Sequence, residues 1–407
     1  MEVIASHVRE AGGRACLVGG CVRDQLLGRP VKDWDVEVYG LPRDQLEKTL
    51  RRLGRVDAVG RSFGVFKSRP AGWRGEEIDV SIPRRDSKVG PGHRGIAVEG
   101  DPHMSVREAC RRRDLTINAI LFDLHTQSFV DPWGGIDDME RRILRPVDEE
   151  TFLEDPLRAL RAAQFAARLG FEPTEDLTAL CRRAPLDELP AERIQGEWEK
   201  LLLKGVRPST GLAFAADAAI DQRVFPEATA AAHPTASQLL DALVSHRDAV
   251  AGRGRKWALM LGGWLYGTTS AVIETTLDRL WLHRVERYDL RPVVHALAAL
   301  TPPAQEVCAL RRLSTRVELD LALRLLTARG HDMTEARRIA TDHGIVHSAP
   351  PPLVLGRDLL RAGIAPGPQV GVLLRAAYDA QLDGDLQDAD DALAFVLARA
   401  SAEAKPS

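Results

Sequence analysis

Leu17-Val18-Gly19-Gly20-Cys21-Val22-Arg23-Asp24 is the stretch on which the reading of this chain turns. The apolar run predicts a strand, the two glycines a turn, and the residues from Cys21 the start of a helix. Glycines without a Cβ let backbone N–H groups close on a phosphate, and a helix N-terminus favours anions. No Gly-Lys-Ser/Thr follows, so this is not a Walker loop. Thirteen residues past Gly20 comes Asp33-Trp34-Asp35, running into the apolar Val36-Glu37-Val38-Tyr39. Side chains at i and i+2 of a strand share a face, so Asp33 and Asp35 would stand side by side at a strand start. Such carboxylates repel one another unless cations lie between them, and paired magnesium ions suit phosphoryl transfer. Alone, the glycine pair is an ordinary turn and the Asp-x-Asp an acidic loop. Joined in this order, they favour chemistry.

Outward from this stretch, the first 145 or so residues alternate short β-type runs with turns. Ala15–Val18, Asp35–Tyr39, Gly64–Lys67, Glu77–Ile82 and Ile117–Leu121 are the candidate strands, the last of them open to a helical reading. From Asp148 the periodicity becomes helical. Leu157, Leu160, Ala163, Phe165 and Leu169 fall near one face, and Gly170 follows as a stop. The remainder is Ala/Leu/Arg-rich and helical, with a linker-like break at Ser348, Ala349 and Pro350–Pro352. There is no internal repeat, and no low-complexity tract beyond Ala228–Ala232.

Composition sets wide limits. A chain of 407 residues, 44% hydrophobic and 28% charged, is an ordinary folded protein of two to four units. No apolar run reaches membrane-spanning length and no secretory signal is visible, so a cytoplasmic location is expected. Five cysteines without CxxC or zinc spacing fit a reducing compartment. The net charge of −3 leaves any nucleic-acid site to a local basic surface.

Two further stretches carry polar chemistry. Arg111-Arg112-Arg113-Asp114-Leu115-Thr116-Ile117-Asn118-Ala119-Ile120 runs a guanidinium cluster into an apolar segment. Arginine forks bind triphosphate oxygens, and Asp114 or Asn118 could read ribose hydroxyls. A basic triplet by itself is usually a solvated face. In Glu154-Asp155-Pro156-Leu157-Arg158-Ala159-Leu160-Arg161, Glu154 or Asp155 is a natural helix cap, and both share a face with Arg158.

These motifs, in this order, resemble the nucleotidyltransferase superfamily related to DNA polymerase β, and within it the class II tRNA nucleotidyltransferases and bacterial poly(A) polymerases. The resemblance spans about half the chain, through Lys204. It implies an α+β fold: a polymerase-β-like head with a small mixed sheet, then an all-α neck, body and tail. The expected divisions are 1–146, 147–210, 211–348 and 349–407. It also implies that Asp79 completes the metal site with Asp33 and Asp35, holding two Mg2+ ions. Gly19, Gly20, Arg23, Arg112, Arg113, Asp114, Asn118, Glu154, Asp155, Arg158 and Arg161 are then the nucleotide-binding residues. In the resembled family E-D-x-x-R serves as the protein's own template for cytosine or adenine, which makes Asp155 and Arg158 the specificity pair and Glu154 their orienter. Leu115 stands where the family has Phe. Asp131-Pro132-Trp133-Gly134-Gly135 resembles its D-P-F-G-G hinge, and Leu189 to Leu203 its supporting neck helix.

The substrates so implied are ATP, CTP and the 3′ end of tRNA, with no membrane and no obligate protein partner. Some relatives carry a His-Asp phosphohydrolase site; here Gly262-Gly263 stands in its place, and His331-Asp332 lies in a polar turn, so none is expected. Gly356 to Tyr378 resembles the tail that meets the tRNA elbow, and the acidic Asp383 to Asp391 stretch should face away from RNA. Arg84 to Gly95, basic and glycine-rich, suits a mobile loop and favours competence for A addition. Full CCA synthesis, A-only addition, poly(A) synthesis and an inactive RNA-binding homologue remain the competing activities.

Overall fold

The structure is a computed structural model and describes residues 1–59, 65–88, 96–229 and 234–403. The chain forms two compact units, Met1–Thr229 and Ala230–Ser407.

The first unit begins with helix α1 (Glu2–Glu10), strand β1 (Arg14–Val18), helix α2 (Gly20–Leu26), strand β2 (Trp34–Tyr39) and helix α3 (Arg43–Arg51). Strands β3 (Gly54–Val59), β4 (Val65–Pro70), β5 (Ile78–Ser81), β6 (Arg84–Lys88) and β7 (Ile96–Gly100) follow, then α4 (Val106–Arg111), β8 (Leu121–Asp123) and β9 (Ser128–Val130). Seven of these strands make one mixed sheet in the order β3-β4-β5-β2-β1-β8-β9. Only the β2–β5 pair within it is parallel, and its register sets Asp35 directly opposite Asp79. The apolar residues of β1 and β2 are buried, with Cys16, Val36 and Val38 at 0–1% exposure, so both sheet faces are covered near the site.

Three of the five strands read from the sequence form within a residue of the expected bounds, and a fourth, expected to end at Lys67, runs on to Pro70 as β4. The fifth, Ile117–Leu121, divides: Thr116–Asn118 is a single 3-10 turn and the strand starts at Leu121. β3, which alternates Arg55-Val56-Asp57-Ala58, and the three-residue β9 were not read from the sequence; both are edge strands. Arg84–Lys88, expected as part of a loop, pairs with Ile96–Gly100 as an antiparallel ribbon, while residues 89–95 lie outside the described residues, as do Ala230–Ala232.

Two short helices, α5 (Gly135–Glu140) and α6 (Glu149–Phe152), flank strand β10 (Ile143–Leu144) and lead to helix α7 (Leu157–Leu169). Strand β11 (Glu172–Pro173) and helices α8 (Glu175–Arg183), α9 (Ala191–Lys204) and α10 (Pro208–Asp217) follow. α7 is the centre of this bundle. Its expected apolar face is buried, and Gly170 ends it in the left-handed conformation, φ 66°. The expected hinge is firmly pinned. Asp131 accepts the N–H groups of Gly135 and Ile136, both at 2.8 Å, and Trp133 donates to the Arg107 carbonyl at 3.0 Å under the Arg107 guanidinium.

The second unit is helical. Helix Arg253–Trp264 buries Trp257 to Trp264 on all sides. Gly262 and Gly263 let neighbouring helices close in: a Cβ at Gly262 would sit 2.5 Å from the Leu297 Cβ. The stretch at Pro350 and Pro351 is anchored, its carbonyls accepting from Tyr378 and Gln381 at 2.9 Å. No helix among the described residues is long and apolar enough to cross a membrane.

Candidate active site

One cleft of about 1350 Å³ opens in the first unit, and thirteen of the fourteen expected site residues line it. Asp79 is the exception. It stands beside Asp35 on the neighbouring strand, its Oδ1 3.8 Å from the Lys67 ammonium. The lining holds eleven Arg and Lys side chains against six Asp and Glu, in a chain whose net charge is −3. That local excess fits a polyanionic ligand.

The glycine turn forms one wall. Gly19 has φ 74°, a conformation L side chains rarely adopt, and a Cβ there would lie 2.9 Å from Arg113 Nη1. Gly19 therefore both makes the turn and lets Arg113 approach it.

At the cleft edge, Asp33 is exposed and Asp35 partly buried. Burial, then the nearby Asp79 and Asp33 charges, pushes the Asp35 carboxyl above its usual range, with Arg113 opposing. Asp79 Oδ1 is buried without a hydrogen-bond partner. Hard oxygen donors crowded beyond what the protein neutralises fit a divalent cation such as Mg2+. Asp33, Asp35 and Asp79 do not all bring a donor atom within 4.8 Å of one another. Among the described residues the trio Glu318, Asp320 and His347 is closer than that, but Arg255, Arg324 and Arg337 already pair with its carboxylates at 2.6–3.2 Å. That trio is an ion-pair network of the second unit.

The arginine triplet is sorted by its neighbours. Arg111 faces outward, paired with Asp148 and Glu150 at 3.0 Å. Arg112 and Arg113 turn inward around Glu37, which is 1% exposed, bonds Arg112 at 3.2 Å and accepts the Tyr39 hydroxyl at 2.7 Å. Burial opposes the Arg113 charge, but Glu37, with smaller contributions from Cys110, Tyr39 and Asp35, outweighs it, and the Arg113 pKa is raised. Glu37 was missed in the sequence as a site residue. Its signal was there, two residues past Asp35 on the same face, hidden inside an apolar strand.

Asp114 and Asn118 carry internal bonds rather than open donors. Asp114 Oδ1 accepts from the Leu115 N–H and the Asn118 amide, both at 2.8 Å, and Oδ2 from Arg161 at 2.7 Å. Although burial opposes ionisation, Arg161 and these hydrogen bonds bring the Asp114 carboxyl down to about 2. Asn118 in turn accepts from Arg23 at 2.7 Å, and Arg23 is clamped by Asp24. A continuous chain of bonds thus joins α2 to α7 beneath the cleft. The expected triphosphate and ribose ligands form a scaffold that orients Arg23 and Arg161.

α7 supplies the other wall. Asp155, one residue before its N-cap Pro156, accepts the Leu157 N–H at 3.1 Å and pairs with Arg193 of α9 at 3.1 Å. Arg158 is partly buried and donates to the Thr151 and Arg112 carbonyls. So Asp155 and Arg158 share a face, as expected, but each is held by a different partner. Burial lowers the Arg158 pKa by more than the nearby Asp114, Asp155 and Glu154 charges raise it. Phe165, about two turns further on, packs under the guanidinium groups of Arg23, Arg161 and Arg168. Arg29, Lys32, Arg84, Phe165, Arg168, Lys200 and Lys204 also line the cleft and were not legible as site residues.

A mixed sheet with paired carboxylates on adjacent strands, facing an arginine-rich helical wall, defines a polymerase-β-like nucleotidyltransferase fold. Residues 15–145 match the Poly A polymerase head domain. The chain is 43% identical over 218 residues to the Multifunctional CCA protein of Stenotrophomonas maltophilia (strain K279a), covering 52% of this chain and 51% of that protein. It is 40% identical over 219 residues to the Multifunctional CCA protein of Aromatoleum aromaticum, covering 53% and 51%. It thus spans about half the length of these curated relatives. Over almost the whole chain it is similar to the Bacillus stearothermophilus CCA-adding enzyme in complex with CTP, with 25% identity, TM-score 0.69, and 98% and 96% of the two chains covered. The Thermotoga maritima CCA-adding enzyme complexed with tRNA shares the fold, with 22% identity, TM-score 0.65, and 98% and 94% covered. The head-domain match and these structural neighbours agree: the chain has the fold of the CCA-adding enzymes.

Proposed function

We propose that this protein adds nucleotides from CTP and ATP to the 3′ end of tRNA, building or repairing its CCA terminus and releasing pyrophosphate. The observation that carries the reading is that Asp33 and Asp35 stand at the edge of the same cleft that Asp155 and Arg158 line. One cavity therefore offers carboxylates for phosphoryl chemistry and fixed polar groups for a base. When bound, Mg2+ ions held by Asp33, Asp35 and Asp79 would ease loss of the attacking hydroxyl's proton and neutralise phosphate charge.

The protein's own groups do the rest. Arg112 and Arg113, set by Glu37, meet triphosphate oxygens as they separate from the α-phosphate. The scaffold of Asp114, Asn118 and Arg23 keeps the ribose end in place. Asp155 and Arg158 bond the edge of cytosine or adenine, and a wrong base leaves these half-buried groups unpaired. The head would occupy residues 1–146, the neck 147–210, the body 211–348 without a phosphohydrolase site, and the tail 349–407 against the tRNA. Such substrates belong to the cytoplasm, where the working enzyme is expected. The relatives named Multifunctional CCA protein and the CTP-bound structural neighbour support tRNA over other RNA.

The test incubates tRNA transcripts ending before C74, after C75 and intact with each nucleotide, then sequences the ends. CC and A added in order supports the proposal. ATP extension of the CC-ending transcript alone would mean an A-adding enzyme, long A tracts on unrelated RNA a poly(A) polymerase, and no incorporation an RNA-binding homologue.

A further inference from the structure

The cleft holds more positive charge than one nucleotide explains, and the surplus gathers in one place. At the C-terminal end of α7, Arg168 hydrogen-bonds only the neutral Gln164 amide oxygen, at 3.3 Å, and pairs with no carboxylate among the described residues. Arg29 reaches the same turn from the loop before β2, both its Nη atoms donating to the Arg168 carbonyl at 3.3 Å. Lys204, exposed at the end of α9, is brought beside it because Gly205 packs on Ala167, and the Val206 and Arg207 N–H groups bond the Ala167 carbonyl. Arg142 and Arg207 extend the group past Gly170: a Cβ at Gly170 would lie 3.4 Å from Arg142 Nη2 and 3.8 Å from Arg207 Cδ. A helix C-terminus accommodates cations, but its dipole amounts to about half a charge. The three cations that line the cleft here, Arg29, Arg168 and Lys204, exceed that. Burial, then Arg23 and Arg29, push the Arg168 pKa down by more than the Asp24 and Glu197 carboxylates raise it, so like charge predominates around it.

We propose that Arg29, Arg168 and Lys204, continued by Arg142 and Arg207, form a phosphodiester track that holds the backbone of the RNA strand entering the cleft, separate from the groups that hold the incoming nucleotide. The inference rests on the proposed RNA-extending activity and assigns to that site the path of its second substrate. Three of these cations line the cleft containing the carboxylates, so a strand on the track delivers its 3′ end toward them. Guanidinium and ammonium groups carried on two packed helices and one loop read phosphate and charge rather than base identity.

The experiment measures binding of a fluorescent single-stranded RNA ending in the tRNA acceptor sequence, without nucleotide, across salt concentrations. In parallel, KM is determined separately for tRNA and for ATP. Lys204→Gln is the first variant, since an exposed helix-end residue is easily replaced; Arg168→Gln and the double variant follow, with Arg168→Lys as the charge-keeping control. Each lost contact should lower the slope of log affinity against log salt by about 0.7, and raise KM for tRNA severalfold with KM for ATP unchanged. Arg168→Lys should restore the slope. A rise in KM for ATP instead would assign the cations to the triphosphate and overturn the proposal, as would unchanged RNA binding with lower thermal stability, which reduces them to helix caps. Because the binding arm needs no catalysis, a wild-type protein that binds RNA through these residues but incorporates nothing would refute the proposed activity while leaving the track standing.

Discussion

Replacing Asp114 by Asn should loosen the joint between the head and α7 by an amount that can be worked out. The carboxylate is 7% exposed and accepts from three partners, two of them neutral N–H groups and one the Arg161 guanidinium. Its carboxyl is held at about 2 in the folded chain against 3.8 ordinarily. A depressed folded pKa gives stability that is complete above 3.8 and is lost as pH falls through 2, worth about 2 kcal/mol at neutral pH. The amide keeps its oxygen for Leu115 and Asn118, so an NH2 then faces Arg161, adding about 1–3 kcal/mol. The Arg161 side chain is 33% exposed, so water recovers part of that. The net expectation is about 3 kcal/mol at pH 7. Native-state hydrogen exchange along residues 157–169 reads it locally, and the gap between wild type and variant should narrow from pH 4 to pH 2. Protection within about 0.5 kcal/mol of wild type at pH 7, or a gap that widens with acid, would refute this account of the scaffold.

Other perturbations separate structure from chemistry. Gly19→Ala forces an L residue to φ 74° and pushes on Arg113; it should cost about 1–2 kcal/mol in urea unfolding but lower kcat out of proportion. Arg158→Gln should relax base choice, with misincorporated U or G rising about tenfold or more in sequenced products. Gly262→Ala meets the Leu297 Cβ at 2.5 Å and should destabilise the second unit by about 1–3 kcal/mol. By contrast, Gly263→Ala meets only the far end of Leu243, at 2.4 Å, which can swing away. Its cost should fall well below that of Gly262→Ala when thermal unfolding of the two is compared.

Several elements were legible because local rules decide them. The strand–Gly-Gly–helix unit, the face of α7 and its stop at Gly170 all follow from backbone sterics and side-chain periodicity within a few residues. The ribbon at Arg84–Lys88 was hidden because its strands are polar and pair with each other outside the main sheet. The hinge motif was readable as a turn, whereas its pinning by Arg107 depends on a helix 26 residues away.

By itself, the sequence determined which chemical groups this protein owns and in what local order: two aspartates flanking Trp34 at a strand start, arginines before an apolar segment, and Asp155 and Arg158 about the start of a helix. Only the tertiary structure decided which of those groups are spent on one another. Asp114 is consumed by Arg161 across 47 residues, Glu37 is buried between two arginines, and Arg29 meets Arg168 across 139 residues. Periodicity is a property of neighbours along the chain. A side chain's charge, partner and freedom to bind a ligand are set by what the fold brings beside it, and by how much water it leaves there.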